Sequence, residues 1–167
     1  MGNEAGLSAA ASPRVNGFAS GLAQAREPGA TRPDVVVHVC CNSLPTRWRL
    51  PRQWQEQGAR VAVHEVPCSG KTDCQYLMHD VEAGLWGVCI VACPRGECRL
   101  GQGNTRAEMR VRTLQRLLAE IGLEPGRAEL VRSSAVEAPE AIEARVREAV
   151  ARICTFGATT AVPMGDE

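Results

Sequence analysis

Four β-branched, apolar stretches punctuate the chain, and between them the apolar positions recur at helical spacing. The first, DVVVHVCC (Asp34 to Cys41), is almost continuously apolar, the signature of a strand covered on both faces. ARVAVHEVPC (Ala59 to Cys68) alternates, GVCIVAC (Gly87 to Cys93) repeats the continuous pattern, and AELVRSS (Ala128 to Ser134) makes a fourth strand. A short helix is expected from Asp73 to Ala83, stopped by Gly84. Asn104 is positioned to cap a helix with Val111, Leu114, Leu118 and Ile121 on one face, ended by Gly122 and Pro125. A last helix from about Glu137 to Ile153 places Ile142, Val146, Val150 and Ile153 on its inner stripe. The stretch carrying Trp48 and Trp54 is polar and receives no element. Strand and helix thus alternate, which predicts a single α/β domain: a mainly parallel, about four-stranded sheet flanked by helices. Residues 1–33 are rich in Gly, Ala, Ser and Pro without periodicity and are expected to form a flexible N-terminal tail; Phe18 to Ala25 is its one helical-looking piece. The domain is then 34–154, with a C-terminal tail over 155–167.

Composition narrows the class. With 167 residues, 44% of them hydrophobic, the chain can bury a core of its own. Nineteen basic against nineteen acidic residues leave no overall field to hold nucleic acid, so a charged partner must meet a local patch. The opening MGNEAGLSAAASPRVNGFAS lacks a basic segment followed by an apolar run, and no stretch has eighteen uninterrupted apolar residues. A cytoplasmic protein without direct membrane insertion is expected. In that compartment thiols stay reduced, so eight cysteines point to metal or redox chemistry more than to disulfides.

The positions of those thiols sharpen the expectation. Cys40 and Cys41 end the first strand, Cys68 the second and Cys93 the third, with Cys98 in the turn beyond. The carboxyl edge of an open parallel sheet is where ligands bind, so this edge is the candidate site. Cys89 lies inside a strand and reads as a small hydrophobe; Cys74 and Cys154 fall at helix ends, and His38, His64 and His79 read as structural or surface groups. Structural zinc usually closes on C-x2-C knuckles, which are absent here. A [2Fe–2S] cluster fits better: Cys93 with Cys98 could hold one iron, and Cys68 with Cys40 or Cys41 the other. Lys71, Arg95, Arg99 and a helix N-terminus nearby suit an anionic cluster, and the backbone of Ser69 and Gly70 could donate to its sulfurs. A rival reading is an enzyme. Cys93 to Arg99 fits C-x5-R, the phosphate loop of cysteine phosphatases and arsenate reductases, although Pro94 removes a donor where an anion needs one and Cys41 and Cys68 go unused.

The segments CCNS (Cys40 to Ser43), PCSGKTD (Pro67 to Asp73), ACPRGECR (Ala92 to Arg99) and QGNTRAEMRVRTLQRLLAEIGLEPGR (Gln102 to Arg127) together resemble the delta subunit of methyl-viologen-reducing hydrogenase, over roughly residues 35 to 130. That resemblance implies an iron–sulfur subunit that is not catalytic alone. It would relay electrons between a hydrogenase or dehydrogenase module and a flavin-containing heterodisulfide reductase-like subunit. The family's CCNWC-type opening is changed here, with Ser43 in place of Trp and Leu44 in place of the third cysteine; Lys71 replaces an Arg, and Arg99 a His. Cys40 and Cys41 are left as alternatives for one ligand position, and adjacent residues on a strand point opposite ways. Cys41, which directly precedes Asn42 as in the family motif, is the preferred one, giving an expected ligand set of Cys41, Cys68, Cys93 and Cys98. The loop from Pro94 to Glu97 is expected to act as a clamp, with Gly96 at positive φ aiming Cys98 at the iron held by Cys93.

Overall fold

In the computed structural model, which describes residues 33–159, the continuous apolar run of the first strand occupies the middle of a sheet. β1 (Val35–Cys40) is buried at every position, because β3 (Ala59–Val66) and β4 (Gly87–Ala92) flank it and helices cover both of its faces. β5 (Ala128–Arg132) adds a parallel strand beyond β4. Outside β3 lies a strand that the polar sequence does not announce: β2 (Gln53–Glu56), antiparallel to β3, completing the order β2-β3-β1-β4-β5. Its sequence, QWQE, holds one apolar residue, since an edge strand with one packed face needs no more. That residue, Trp54, packs against the core under the guanidinium of Arg147, whose carbon lies 5.1 Å from the ring centre.

The helices divide the core in two. α1 (Cys74–Glu82) and α2 (Gly103–Glu120) cover one face, where Val36, Ile90 and Ala92 meet Leu77, Val81, Ala107, Val111, Leu114 and Leu118. α3 (Pro139–Cys154) covers the other, setting Ile142, Val146, Val150 and Ile153 against Val35, Val37, Val39 and Val91. Asp73 caps α1 by accepting the Gln75 N–H at 3.1 Å, and Gly84 follows the helix at φ 95°. α2 begins one residue before the expected cap. Asn104 is instead buried in its first turn, donating through its side-chain amide to the Pro94 carbonyl and accepting the Thr105 N–H at 2.8 Å.

The N-terminal tail expected over 1–33, with its Phe18 to Ala25 piece, lies outside the described residues except for Pro33, as do residues 160–167. Residues 155–159, expected to begin the C-terminal tail, pack on the body. The buried Arg127 guanidinium donates to the carbonyls of Trp86 (2.8 Å), Gly157 (2.8 Å) and Phe156 (3.2 Å), and Thr159 donates to Leu85 O. Among the described residues no helix is long and apolar enough to cross a membrane.

Candidate metal centre

β1 is followed in the chain by two strands on one side of it, β2 and β3, and then by β4 and β5 on the other, so the order reverses between β1 and β4. At such a switch point the loops leaving adjacent strands part, and a crevice opens outside the carboxyl ends. Cys40 is the last residue of β1 and Cys93 the first after β4. Their sulfurs stand 3.7 Å apart, and both residues are buried. The next turns carry the other thiols. Cys68 precedes a single 3-10 turn, Ser69–Lys71, and Cys98 lies in the loop before α2. Their sulfurs converge on the backbone of Gly103: a Cβ built there would lie 2.2 Å from the Cys68 Sγ and 3.1 Å from the Cys98 Sγ.

The edge therefore holds two thiol pairs, Cys40 with Cys93 and Cys68 with Cys98. Among the described residues no group of three or more His, Cys, Asp and Glu side chains closes on a single metal point. This pairing differs from the expected one, in which Cys93 and Cys98 share an iron. Gly96 does adopt the anticipated positive φ, 83°, but the fold-back it makes delivers Cys98 to Cys68. Cys41, the preferred ligand of the strand-end argument, opens a 3-10 turn; its thiol lies 3.9 Å from the Pro67 carbonyl and is part exposed. Cys40 takes the interior position. Leu44, where the family pattern has a third cysteine, is packed into the α3-side core.

Each pair contains one sulfur favoured as thiolate and one disfavoured. The hydrogen bond from Cys93 draws the Cys40 pKa down to about 6 against the effect of burial, helped by the backbone N–H groups of Ser69, Asn42 and Ser43. Cys93 is driven upward by that same hydrogen bond and by burial, with the charges of Cys40, Cys98 and Cys68 adding to it. Burial also opposes ionisation of Cys98, yet the N–H groups of Asn104, Leu100 and Gly103 and the Cys68 thiol outweigh it, so its pKa falls. Cys68 is raised, first by burial and then by the Cys98 and Cys40 charges, despite a hydrogen bond from Gly70 N–H. Nearby backbone N–H groups thus favour the charged form of Cys40, Cys68 and Cys98.

Supporting contacts tie the loops to the sheet. Ser43 Oγ donates to Cys40 O at 2.8 Å, Ser133 Oγ to Ser43 O at 2.9 Å, and Ser133 N–H to Ala92 O at 3.0 Å, joining the ends of β1, β4 and β5 through buried serines. Arg132, which sequence reasoning did not single out, ends β5, donates to Cys93 O at 3.2 Å and pairs with Glu108 of α2 at 2.6 Å. Its place at a strand's carboxyl end was the available signal. Arg95 also binds Glu108, at 2.7 Å, while Lys71 and Arg99 flank the thiol loops in sequence.

The remaining cysteines and histidines lie elsewhere. Cys89 is fully buried, and burial pushes its thiol up to about 12. Cys74 donates to Arg110 O and Cys154 to Glu56 O. His38 and His64 sit side by side on β1 and β3, edge-on at 5.6 Å; burial, with the neighbouring imidazole, pushes His38 down to about 4. His79 is exposed near Glu82.

Sulfurs in two pairs at the switch point of a mainly parallel sheet define an α/β domain with a thiol-lined carboxyl edge. The chain belongs to the methyl-viologen-reducing hydrogenase delta subunit family, whose profile matches residues 35–157. The vhu iron–sulfur subunit of the F420-non-reducing hydrogenase of Methanopyrus kandleri is 33% identical over 84 residues, 50% of this chain and 64% of that protein. The protein of the same name from Methanocaldococcus jannaschii is 36% identical over 99 residues, 59% of this chain and 73% of the relative. The chain therefore spans less than two thirds of the first relative's length. A larger relative, from the ferredoxin/F420H2-dependent CoB-CoM heterodisulfide reductase of Methanosarcina acetivorans, is 29% identical over 127 residues; that stretch is 70% of this chain but 15% of the other.

Proposed function

We propose that the chain is a cytoplasmic electron-transfer subunit that holds a [2Fe–2S] cluster through Cys40, Cys68, Cys93 and Cys98, with Cys41 as the alternative to Cys40. The observation that carries this reading is the gathering of four thiols from three separate segments into two pairs. Two sulfurs per iron on two irons is the donor set such a cluster needs, and N–H donors around the sulfurs favour its negative charge. The fit is reinforced by Gly103, whose missing Cβ leaves room for Cys68 Sγ. When bound, the cluster supplies a one-electron acceptor and donor. The protein's own residues exclude water from Cys40, Cys68 and Cys93 by burial and orient the sulfurs through backbone donors.

The relatives named as hydrogenase iron–sulfur subunits, and the matching stretch within a heterodisulfide reductase component, support a place between a hydrogenase or dehydrogenase module and a flavin-containing heterodisulfide reductase-like subunit. The phosphatase-like reading loses ground to the geometry. A nucleophilic thiolate must face its substrate, and Cys93 is buried with its sulfur 3.7 Å from that of Cys40. The test is anaerobic purification with iron and sulfide analysis and spectroscopy of the dithionite-reduced protein. About two irons and two acid-labile sulfides per chain are expected. One zinc without sulfide would overturn the reading, and about four irons would overturn the cluster type.

A further inference from the structure

Glycines around the thiol edge are there for two different physical reasons. Gly96 and Gly101 have φ of 83° and 78° and nothing within 4 Å of the place a Cβ would occupy, so backbone conformation is what excludes other residues. Gly70 and Gly103 are the reverse: neither has a positive φ in the left-handed region, and both are crowded. A Cβ on Gly70 would meet Gly103 Cα and O at 2.7 Å each; a Cβ on Gly103 would meet Cys68 Sγ at 2.2 Å. What these positions exclude is volume. The backbone of the Cys68 loop and the first residue of α2 touch with no side chain between them, and Arg110 of α2 holds the same loop by donating to the carbonyls of Gly70 and of Thr72, the latter at 3.0 Å.

We propose that Gly70 and Gly103 are positioning residues: their side-chain-free contact sets the separation of the Cys68 and Cys98 sulfurs and brings the first N–H groups of α2 onto Cys98. The inference rests on the metal-centre reading for its purpose, but the contact itself concerns only the thiols. A helix start one Cβ farther out would withdraw the Gly103 and Asn104 N–H groups that face Cys98. It would also open the sulfur pair that the same glycine seats.

The test uses the full chain freed of metal and treated with phenylarsine oxide, a trivalent arsenical that bridges neighbouring thiols. Its As=O oxygen leaves as water with the two thiol protons while two As–S bonds form, and nothing is oxidised or reduced. The parent is expected to take up two equivalents, with Cys40–Cys93 and Cys68–Cys98 protected in peptide mapping. Gly103→Ala is expected to take up one, at Cys40–Cys93. In metal-loaded protein the same variant should lose iron or shift the visible spectrum and reduction potential, whereas Thr105→Ala, exposed on the same helical turn, should match the parent. If Gly103→Ala does not fold, Cys68→Ala/Gly103→Ala should fold as well as Cys68→Ala alone, because the sulfur in the way is gone. Failure of that double variant to fold overturns the proposal, as does parent-like protection of all four thiols in Gly103→Ala. A parent that pairs its thiols as stated but binds no iron defeats the cluster reading and leaves the glycine contact standing. A parent with its full iron, matched in spectrum and potential by Gly103→Ala, does the opposite.

Discussion

Cys40 closes a strand and Cys41 opens a turn, and that single step along the backbone separates their chemical fates. Both sulfurs lie near the Pro67 carbonyl, at 3.8 and 3.9 Å, but Cys40 is buried with its Sγ 3.7 Å from Cys93 Sγ, while Cys41 is part exposed. Cys40→Ser is therefore expected to lose most of the iron and Cys41→Ser to keep it, as measured by metal analysis of anaerobically purified protein. Cys89 gives the control for burial without ligation: Cys89→Ser should cost about 1–3 kcal/mol in denaturant unfolding, since its hydroxyl enters an apolar interior, and should leave the iron content unchanged. The strand pattern made the edge and its five thiols legible, because strand ends can be read from where apolar runs stop. It did not distinguish Cys40 from Cys41. Alternation of side chains holds only while the backbone stays extended, and the 3-10 turn that begins at Cys41 is where that rule lapses.

Among the elements, the loop from Cys93 to α2 and the entrance to β1 carry the informative constraints. Gly96 has open space around it but φ of 83°, so Gly96→Val should cost about 1–2 kcal/mol from conformation alone, whereas Gly96→Asn should be better tolerated. Because the loop aims Cys98 at Cys68, the valine variant should weaken iron retention at that pair, read as faster bleaching under a chelator. At the start of β1, Asp34 accepts the Arg60 backbone N–H at 2.7 Å and its guanidinium at 3.0 and 3.1 Å, fastening β1 to β3. The Arg60 hydrogen bond lowers the Asp34 pKa despite some burial. A carboxylate with a lowered folded pKa contributes stability that is present above its unfolded value and lost as pH falls through the folded one. The melting temperature of the parent should thus exceed that of Asp34→Asn at neutral pH, with the gap closing from about pH 4 downward. Helical periodicity located α1, α2 and α3 because each buries an apolar stripe, although Ile121, expected on that of α2, caps the helix after Glu120 and is exposed. β2 escaped because one tryptophan suffices at a sheet edge, and the start of α2 was displaced because Asn104 spends its side chain on the Pro94 carbonyl.

Across the molecule, support and site are at opposite ends of the sheet. Arg127 lies beside the start of β4, joining Trp86, Phe156 and Gly157 with its side chain buried, while the thiols occupy the carboxyl ends. Arg127→Met leaves those carbonyls without their donor and should cost about 3 kcal/mol in unfolding, with the iron content per folded chain unchanged. A parallel loss of iron and stability would mean the two ends are coupled. The overall architecture was readable from alternation of strands and helices. The packing of residues 155–159 was not, since what fixes them is a distant arginine reaching backbone carbonyls, which any sequence can offer.

The thiols that meet at 3.7 Å are 53 positions apart in the chain, and their meeting depends on β4 having settled against β1. The second pair needs α2 as well, because Gly103 is its floor. A chain still emerging from the ribosome cannot present both pairs, and loop closure over such distances is achieved only as part of the cooperative fold. Any group those four sulfurs hold together is thus offered its ligands by the assembled fold and by no single segment of the chain.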